Sequence, residues 1–183
     1  MKRWDAILRR IPEDRDTYGV EIGVLRGLTS SHLLAARPRL TLFLVDPWAE
    51  SFPGDRYHDS GDDNGRKSQA EHNRDFKTTL NIVREFGIRA RIIRATSENA
   101  LYIAKDQSLD FVFIDGDHSR EGVAEDIKNW YEMVKVGGWI GGHDYDHQNF
   151  PGVKIAVDDA FPSRIVTDSE RTWFHMKLYT GQL

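Results

Sequence analysis

Residues 18–27 read YGVEIGVLRG. The apolar run Tyr18–Ile22 stops at Gly23, and a helix-forming stretch, Leu28–Ala36, starts directly after Gly27. Thr29 or Ser30 is available to cap that helix, and Pro38 lies just past its end. A short apolar run bounded by glycine suits a buried strand, and a capped segment closed by proline suits a helix. The same alternation continues outward. Strands are expected at Thr41–Val45, Arg91–Arg94, Phe111–Ile114 and Trp139–Gly142. Helices are expected at Gln69–Phe86, stopped by Gly87, and at Ser97–Ala104, Arg120–Val134 and Val153–Phe161. Residues 49–68 are polar and rich in Gly, Asp and Ser. A loop of that length in a compact domain usually serves a function, and this one is expected to be a substrate lid or a mobile insertion. Arg164–Thr167 and Trp173–Leu178 close the chain as two strands around a turn at Asp168-Ser169-Glu170.

Strands that are apolar throughout, alternating with helices, predict an α/β fold with a mainly parallel sheet covered on both faces. The last two strands are too tightly joined for a crossover helix and should be antiparallel. At 183 residues the chain is expected to be one domain, 1–183. It has no cysteine, which excludes disulfides, thiolate metal sites and thiol nucleophiles. With 25 basic and 29 acidic residues the net charge is −4, which argues against a nucleic-acid partner. No apolar run approaches the roughly 20 residues that span a bilayer, and the N-terminus does not read as a secretory signal. A cytoplasmic protein without a membrane partner is expected.

In a doubly wound sheet, ligands sit beyond the carboxyl ends of the strands. There the first strand supplies Glu21, Gly23 and Gly27, and the second supplies Asp46, 19 residues after Gly27. Glycine lets backbone approach a nucleotide-like ligand, and an acid at the second strand end can accept both ribose hydroxyls. Leu25 and Arg26 depart from the dinucleotide fingerprint, which argues against a nicotinamide-dependent oxidoreductase. A ligand without phosphates needs less clearance. S-adenosyl-L-methionine is one, and its ammonium suits an acid such as Glu21.

EIGVLRG, LVDPW, FVFIDGDHSREGVAEDI, VGGWIGGHDY and PGVKIAVDDAF together resemble the class I S-adenosylmethionine-dependent methyltransferases, from about Tyr18 to Leu178. More narrowly they are similar to the branch of catechol O-methyltransferase-like and macrolide-sugar O-methyltransferases. The resemblance implies a Rossmann-like seven-stranded sheet, order 3-2-1-4-5-7-6, with strand 7 antiparallel and helices on both faces. It implies that Glu21 and Gly23 surround the methionine part of the cofactor and that Asp46 holds the ribose. Trp48 would either cover an adenine face or pack the loop. Ser97 would either bond adenine or serve as an N-cap.

Asp115 ends the fourth strand, three residues before His118, and His143-Asp144 follows the fifth. These strands should be neighbours, so the groups can converge. An alcohol is a poor nucleophile until it loses its proton, which a base or a metal ion can promote. His118 is the expected base, with His143 as a second candidate. Asp115 and Asp144 can hold a divalent cation. With His143 as third ligand, manganese, iron or zinc is favoured; without it, magnesium. Metal-dependent members of the family carry an acid where His143 stands, so this chain departs from them there. Asp62-Asp63 and Asp158-Asp159 read as solvated surface. The chain before Tyr18 is too short to contain the N-terminal helices of some relatives, so the lid or a homodimer partner would supply that wall. The expected activity is O-methylation of a small-molecule hydroxyl (sugar, polyketide or phenol). The alternative is a non-catalytic module that binds S-adenosylmethionine.

Overall fold

The structure, a computed structural model, describes residues 1–179; residues 180–183 of the expected domain lie outside it. In chain order the elements are α1 (Arg3–Leu8), β1 (Thr17–Ile22), α2 (Leu28–Ala36), β2 (Leu40–Asp46), α3 (Arg56–Asp59), α4 (Gln69–Val83), β3 (Ala90–Arg94), β4 (Leu109–Ile114), α5 (Arg120–Tyr131), β5 (Val134–Gly142), α6 (Pro151–Ala160), β6 (Val166–Asp168) and β7 (Thr172–Met176). The seven strands form one sheet in the order β3-β2-β1-β4-β5-β7-β6. All neighbours are parallel except β7, which runs antiparallel to both β5 and β6. This is the Rossmann-like arrangement expected above.

Successive residues along a strand face opposite sides, and here both sides are core. Val112 and Ile114 of β4 pack under α5 and α6 with Val123, Ile127, Trp130 and Val157. Phe111 and Phe113 face the other way, toward Ile7 of α1, Leu33 and Leu34 of α2 and Val83 of α4. Burial on both faces is why these strands lack a polar alternation. No helix among the described residues is long and apolar enough to cross a membrane.

Several boundaries differ from the sequence expectations. Helix α4 ends at Val83, and the chain continues as a 3-10 turn, Arg84–Arg89, kinked at the left-handed Gly87. Thr29 and Ser30 lie inside α2 and do not cap it; the left-handed Gly27 takes the N-cap position. β5 begins at Val134, where a helix was expected to end. Segment 49–68 contains α3 and a 3-10 turn, Asp63–Arg66. The largest difference is α1. It packs on α2 and on the turn at Ser169–Arg171, held by Arg9 and Arg10 on Asp168 at 2.5 and 3.0 Å. The guanidinium of Arg10 lies 3.6 Å from the Phe174 ring centre. Salt bridges and a cation–π contact dock this short helix where apolar periodicity has too few turns to register.

Candidate functional site

Two cavities, each about 520 Å³, open at the carboxyl ends of the parallel strands. They meet at Gly23, Leu25, Tyr57, Asn64 and Gly116, which line both. A ligand can therefore run continuously from one to the other.

The junction is built by the glycine turn. Gly23 has φ 81°, and a Cβ there would stand 2.1 Å from the Asp115 carbonyl oxygen, so no side chain fits between β1 and β4 at this point. Leu25 is also left-handed, at φ 54°. Its carbonyl accepts from Trp48 Nε1 at 2.7 Å and from Thr79 Oγ1 at 2.9 Å, which holds the strained residue in place. Trp48 is fully buried, leans on Phe76, and lines neither cavity. Of its two expected roles, this conformation has it packing the loop.

Asp46 lines the second cavity. Its carboxylate accepts from the amides of Val24 and Leu25 at 3.0 and 2.9 Å and from that of Trp48 at 2.7 Å. A carboxylate has about four acceptor positions, so one is left for a ribose hydroxyl, not the two expected. Burial raises this carboxyl, and the three amides only partly offset that. Ser97 lines the same cavity and takes the N-cap position of the 3-10 turn Glu98–Ile103, but its Oγ makes no capping bond and accepts from Trp130 Nε1 at 2.7 Å. Asp126 of α5, which sequence reasoning passed over, lines this cavity with 7% of its surface exposed.

Glu21 lines the first cavity at 2% exposure and accepts a hydrogen bond from Ser30. Burial pushes its carboxyl up to about 8, despite the Ser30 hydroxyl. At the far side of this cavity lie Asp115, His118 and Asp144, whose ligand atoms all fall within 4.8 Å of one another. His118 Nδ1 is 3.0 Å from Asp62 Oδ2. Its Nε2 is 3.2 Å from Asp144 and 3.6 Å from Asp115, yet it is buried without a hydrogen-bond partner. The ring stacks on Phe150, which stacks in turn on His147. Burial works against charging His118, but Asp115, Asp62 and Asp144 outweigh it and raise the ring to about 10. The carboxylates around it favour the charged ring, which donates protons, and this weighs against the expected role as base.

Asp62, expected on the surface, is 5% exposed. Burial raises its carboxyl, but His118 and the Asn64 amide outweigh this and hold it below the usual carboxylate range. His143 is buried, lines neither cavity, and places Nδ1 2.9 Å from Asp144 Oδ2. Its Nδ1 is also 3.7 Å from Asp115 Oδ1, so the ring adjoins both carboxylates, while the three residues whose ligand atoms converge are Asp115, His118 and Asp144. Asp144 itself has φ 58°, a strained conformation of the kind that clusters at functional sites. Arg3 of α1 reaches into the first cavity and forms an ion pair with Asp115. Lys2 and Trp4 line the same wall, so the start of the chain adds to a wall to which segment 49–68 contributes Tyr57, Asp62 and Asn64.

A mainly parallel sheet with a glycine turn, an acid at the second strand end and a buried acidic cluster at adjoining strand ends is an arrangement that suits a nucleoside cofactor. The sequence pattern of a methyltransferase domain family matches residues 20–145, and the chain belongs to that family. Membership implies an S-adenosylmethionine-dependent methyltransferase and displaces the nicotinamide alternative. No curated protein matches the sequence. Among solved structures, the O-methyltransferase NovP is similar at TM-score 0.69 and 20% identity, over 97% of this chain and 80% of that one. The calicheamicin methyltransferase CalS11 is similar at 0.66 and 13%, over 94% and 76%. A protein from Corynebacterium glutamicum is similar at 0.66 and 14%, over 98% and 81%. At these identities the likeness concerns the fold.

The cavities suit S-adenosylmethionine. The side-chain-free floor at Gly23 and Gly116 joins a compartment with a buried acid, Glu21, for an ammonium to one with Asp46 for a ribose.

Proposed function

We propose that this methyltransferase acts on a hydroxyl oxygen of a small molecule, assisted by a divalent cation held by Asp115, His118 and Asp144. The observation that carries the reading is the unpartnered, buried Nε2 of His118, set between two carboxylates on the wall of the first cavity. A bound cation would supply a Lewis acid to the acceptor oxygen. Two carboxylates and one imidazole suit manganese, iron or zinc better than magnesium. For His118 to serve as ligand, Nδ1 must keep its hydrogen on Asp62 and Nε2 must be bare. Asp62 then fixes the tautomer, as carboxylates behind metal-bound histidines do. Phe150 fixes the ring plane, and Arg3 and Trp4 wall the acceptor compartment.

Segment 49–68 acts as a lid in this reading. Tyr57 and Asn64 roof both cavities, and Arg56 straps the segment to the β4–α5 turn through Asp117 at 2.7 Å and to α5 through Glu125 at 2.8 Å. Exposed pairs contribute about 0–1 kcal/mol each. An Arg56→Ala variant should therefore release S-adenosylhomocysteine about 3–10-fold faster, as followed by stopped-flow fluorescence, with an unchanged melting temperature. An unchanged release rate would mean the segment does not gate this ligand.

The function itself is tested by transfer of a radiolabelled methyl group to a panel of sugars, polyketides and phenols, with amines and nucleic acid alongside. Products methylated on oxygen are expected, with activity lost on chelation and restored by manganese, iron or zinc. Exclusive methylation of nitrogen would overturn the oxygen assignment. Tight S-adenosylhomocysteine binding with no transfer to any acceptor would point to the non-catalytic module.

A further inference from the structure

A ribose carries two neighbouring hydroxyls, and the acid at the end of β2 has room for one. Three of the roughly four acceptor positions of Asp46 are taken by the amides of Val24, Leu25 and Trp48. The second hydroxyl needs a partner elsewhere in the same compartment. His72, in the first turn of α4, lines that cavity with Asp46. It is 5% exposed, and its Nε2 is enclosed with no hydrogen-bond partner among the described residues. An enclosed polar nitrogen left unpaired is costly, so its place at a cavity wall points to a ligand that supplies the missing partner. The surrounding chain fixes the ring there. Gln69 Nε2 donates to the Trp48 carbonyl at 2.9 Å, and Phe76, one turn beyond His72, leans on the Trp48 indole. Trp48 in turn gives its amide to Asp46. The start of α4 is thereby tied to the loop that presents the acid, and His72 rides on it. Burial lowers the ring below its ordinary range, although Asp46 pulls the other way. A neutral imidazole has one nitrogen that donates and one that accepts, and a hydroxyl can meet either.

We propose that His72 holds one ribose hydroxyl of the cofactor while Asp46 holds the other, so that the diol is divided between a helix and a strand end. This rests on the S-adenosylmethionine reading of the cavities and goes beyond it by giving a histidine of α4 a place in sugar recognition. Gln69 and Phe76 are positioning residues, acting through the placement of His72.

The experiment measures calorimetric binding of S-adenosylhomocysteine and of its 2′-deoxy and 3′-deoxy forms to the wild type, His72→Phe and His72→Gln. In the wild type both deoxy ligands should bind more weakly. One should lose about 10–100-fold, the range of a hydrogen bond to a charged group, and the other about 3–10-fold, the range of a neutral one. The phenylalanine variant keeps a ring and removes the orphaned nitrogen, so it should melt no lower than the wild type. It should bind S-adenosylhomocysteine about 3–10-fold more weakly. In that variant the hydroxyl with the smaller effect should cost less than about twofold to remove, while the other keeps its full effect. His72→Gln restores a donor and an acceptor and should regain sensitivity to both hydroxyls. A deoxy ligand that binds the wild type as tightly as the parent would overturn the proposal, whatever the variants do. So would a phenylalanine variant that weakens all three ligands alike, the mark of a purely structural histidine. In both cases the cofactor reading stands, because the parent ligand still binds. If the wild type does not bind S-adenosylhomocysteine, that reading falls and this assignment with it.

Discussion

Asp144→Ala should lower turnover by about 10²–10⁴-fold while S-adenosylhomocysteine still binds, because the variant deletes one of three cluster ligands and leaves Glu21 and Asp46 untouched. Manganese binding, read by electron paramagnetic resonance, should be lost in the same variant. Arg3 gives the converse control. Its guanidinium pairs with Asp115, so Arg3→Ala should bind manganese more tightly than the wild type. Near-normal turnover in a chelated Asp144→Ala enzyme would remove the metal from the mechanism.

Glu21→Gln should have opposite effects on stability and on binding. Burial first, with weaker repulsion from Asp115 and Asp46, raises the Glu21 carboxyl from 4.5 to about 8, against the Ser30 hydroxyl and Arg3. The unfolded chain loses this proton near pH 4–5, while the folded chain keeps it until about pH 8. Folded stability therefore falls as pH rises through that window and levels off above it, by on the order of 4–5 kcal/mol in the ligand-free protein. The glutamine variant should lack this dependence and melt at a higher temperature at pH 8–9. It should also bind S-adenosylhomocysteine about 30–1000-fold more weakly, since a buried ammonium would lose its ionised partner. In the wild type, binding at pH 7 should release about one proton, read by calorimetry in buffers of different ionisation enthalpy. Equal affinity in the two proteins would show that Glu21 does not meet the ammonium.

The sheet was legible because its cues are local and repeated. β1, β2, β4 and β5 are apolar runs that end on or beside a glycine or an acid, and Glu21, Gly23, Asp46 and Asp115 are all found at those ends. Residues brought in by long-range folding were not legible. Asp62 sits in a polar stretch that resembles surface until the lid folds and delivers it to His118, 56 positions away. Asp126 lies among other charges on an amphipathic helix, and only its burial at the wall of the second cavity separates it from a solvated face. His118 and His143 could not be ranked from their spacing. Which ring faces the cavity depends on backbone geometry at Asp144, and its left-handed conformation has no sequence signal when glycine is absent. Trp48 follows an acid at a strand end, so its position fits either role, and Leu25 decides by offering it a carbonyl.

The docking of α1 bears on how the protein is handled in the laboratory. Lys2 and Arg3 stand on the cavity wall, with Arg3 touching Asp115, so any purification handle appended before Met1 emerges beside the reaction centre. A polyhistidine tag there would bring a string of imidazoles next to the two carboxylates and the single ring that make up the cluster. Such a preparation could chelate the very ion being assayed, or block the acceptor, and pass for an inactive enzyme. The tag is better placed at the other end of the chain or cleaved before activity is measured.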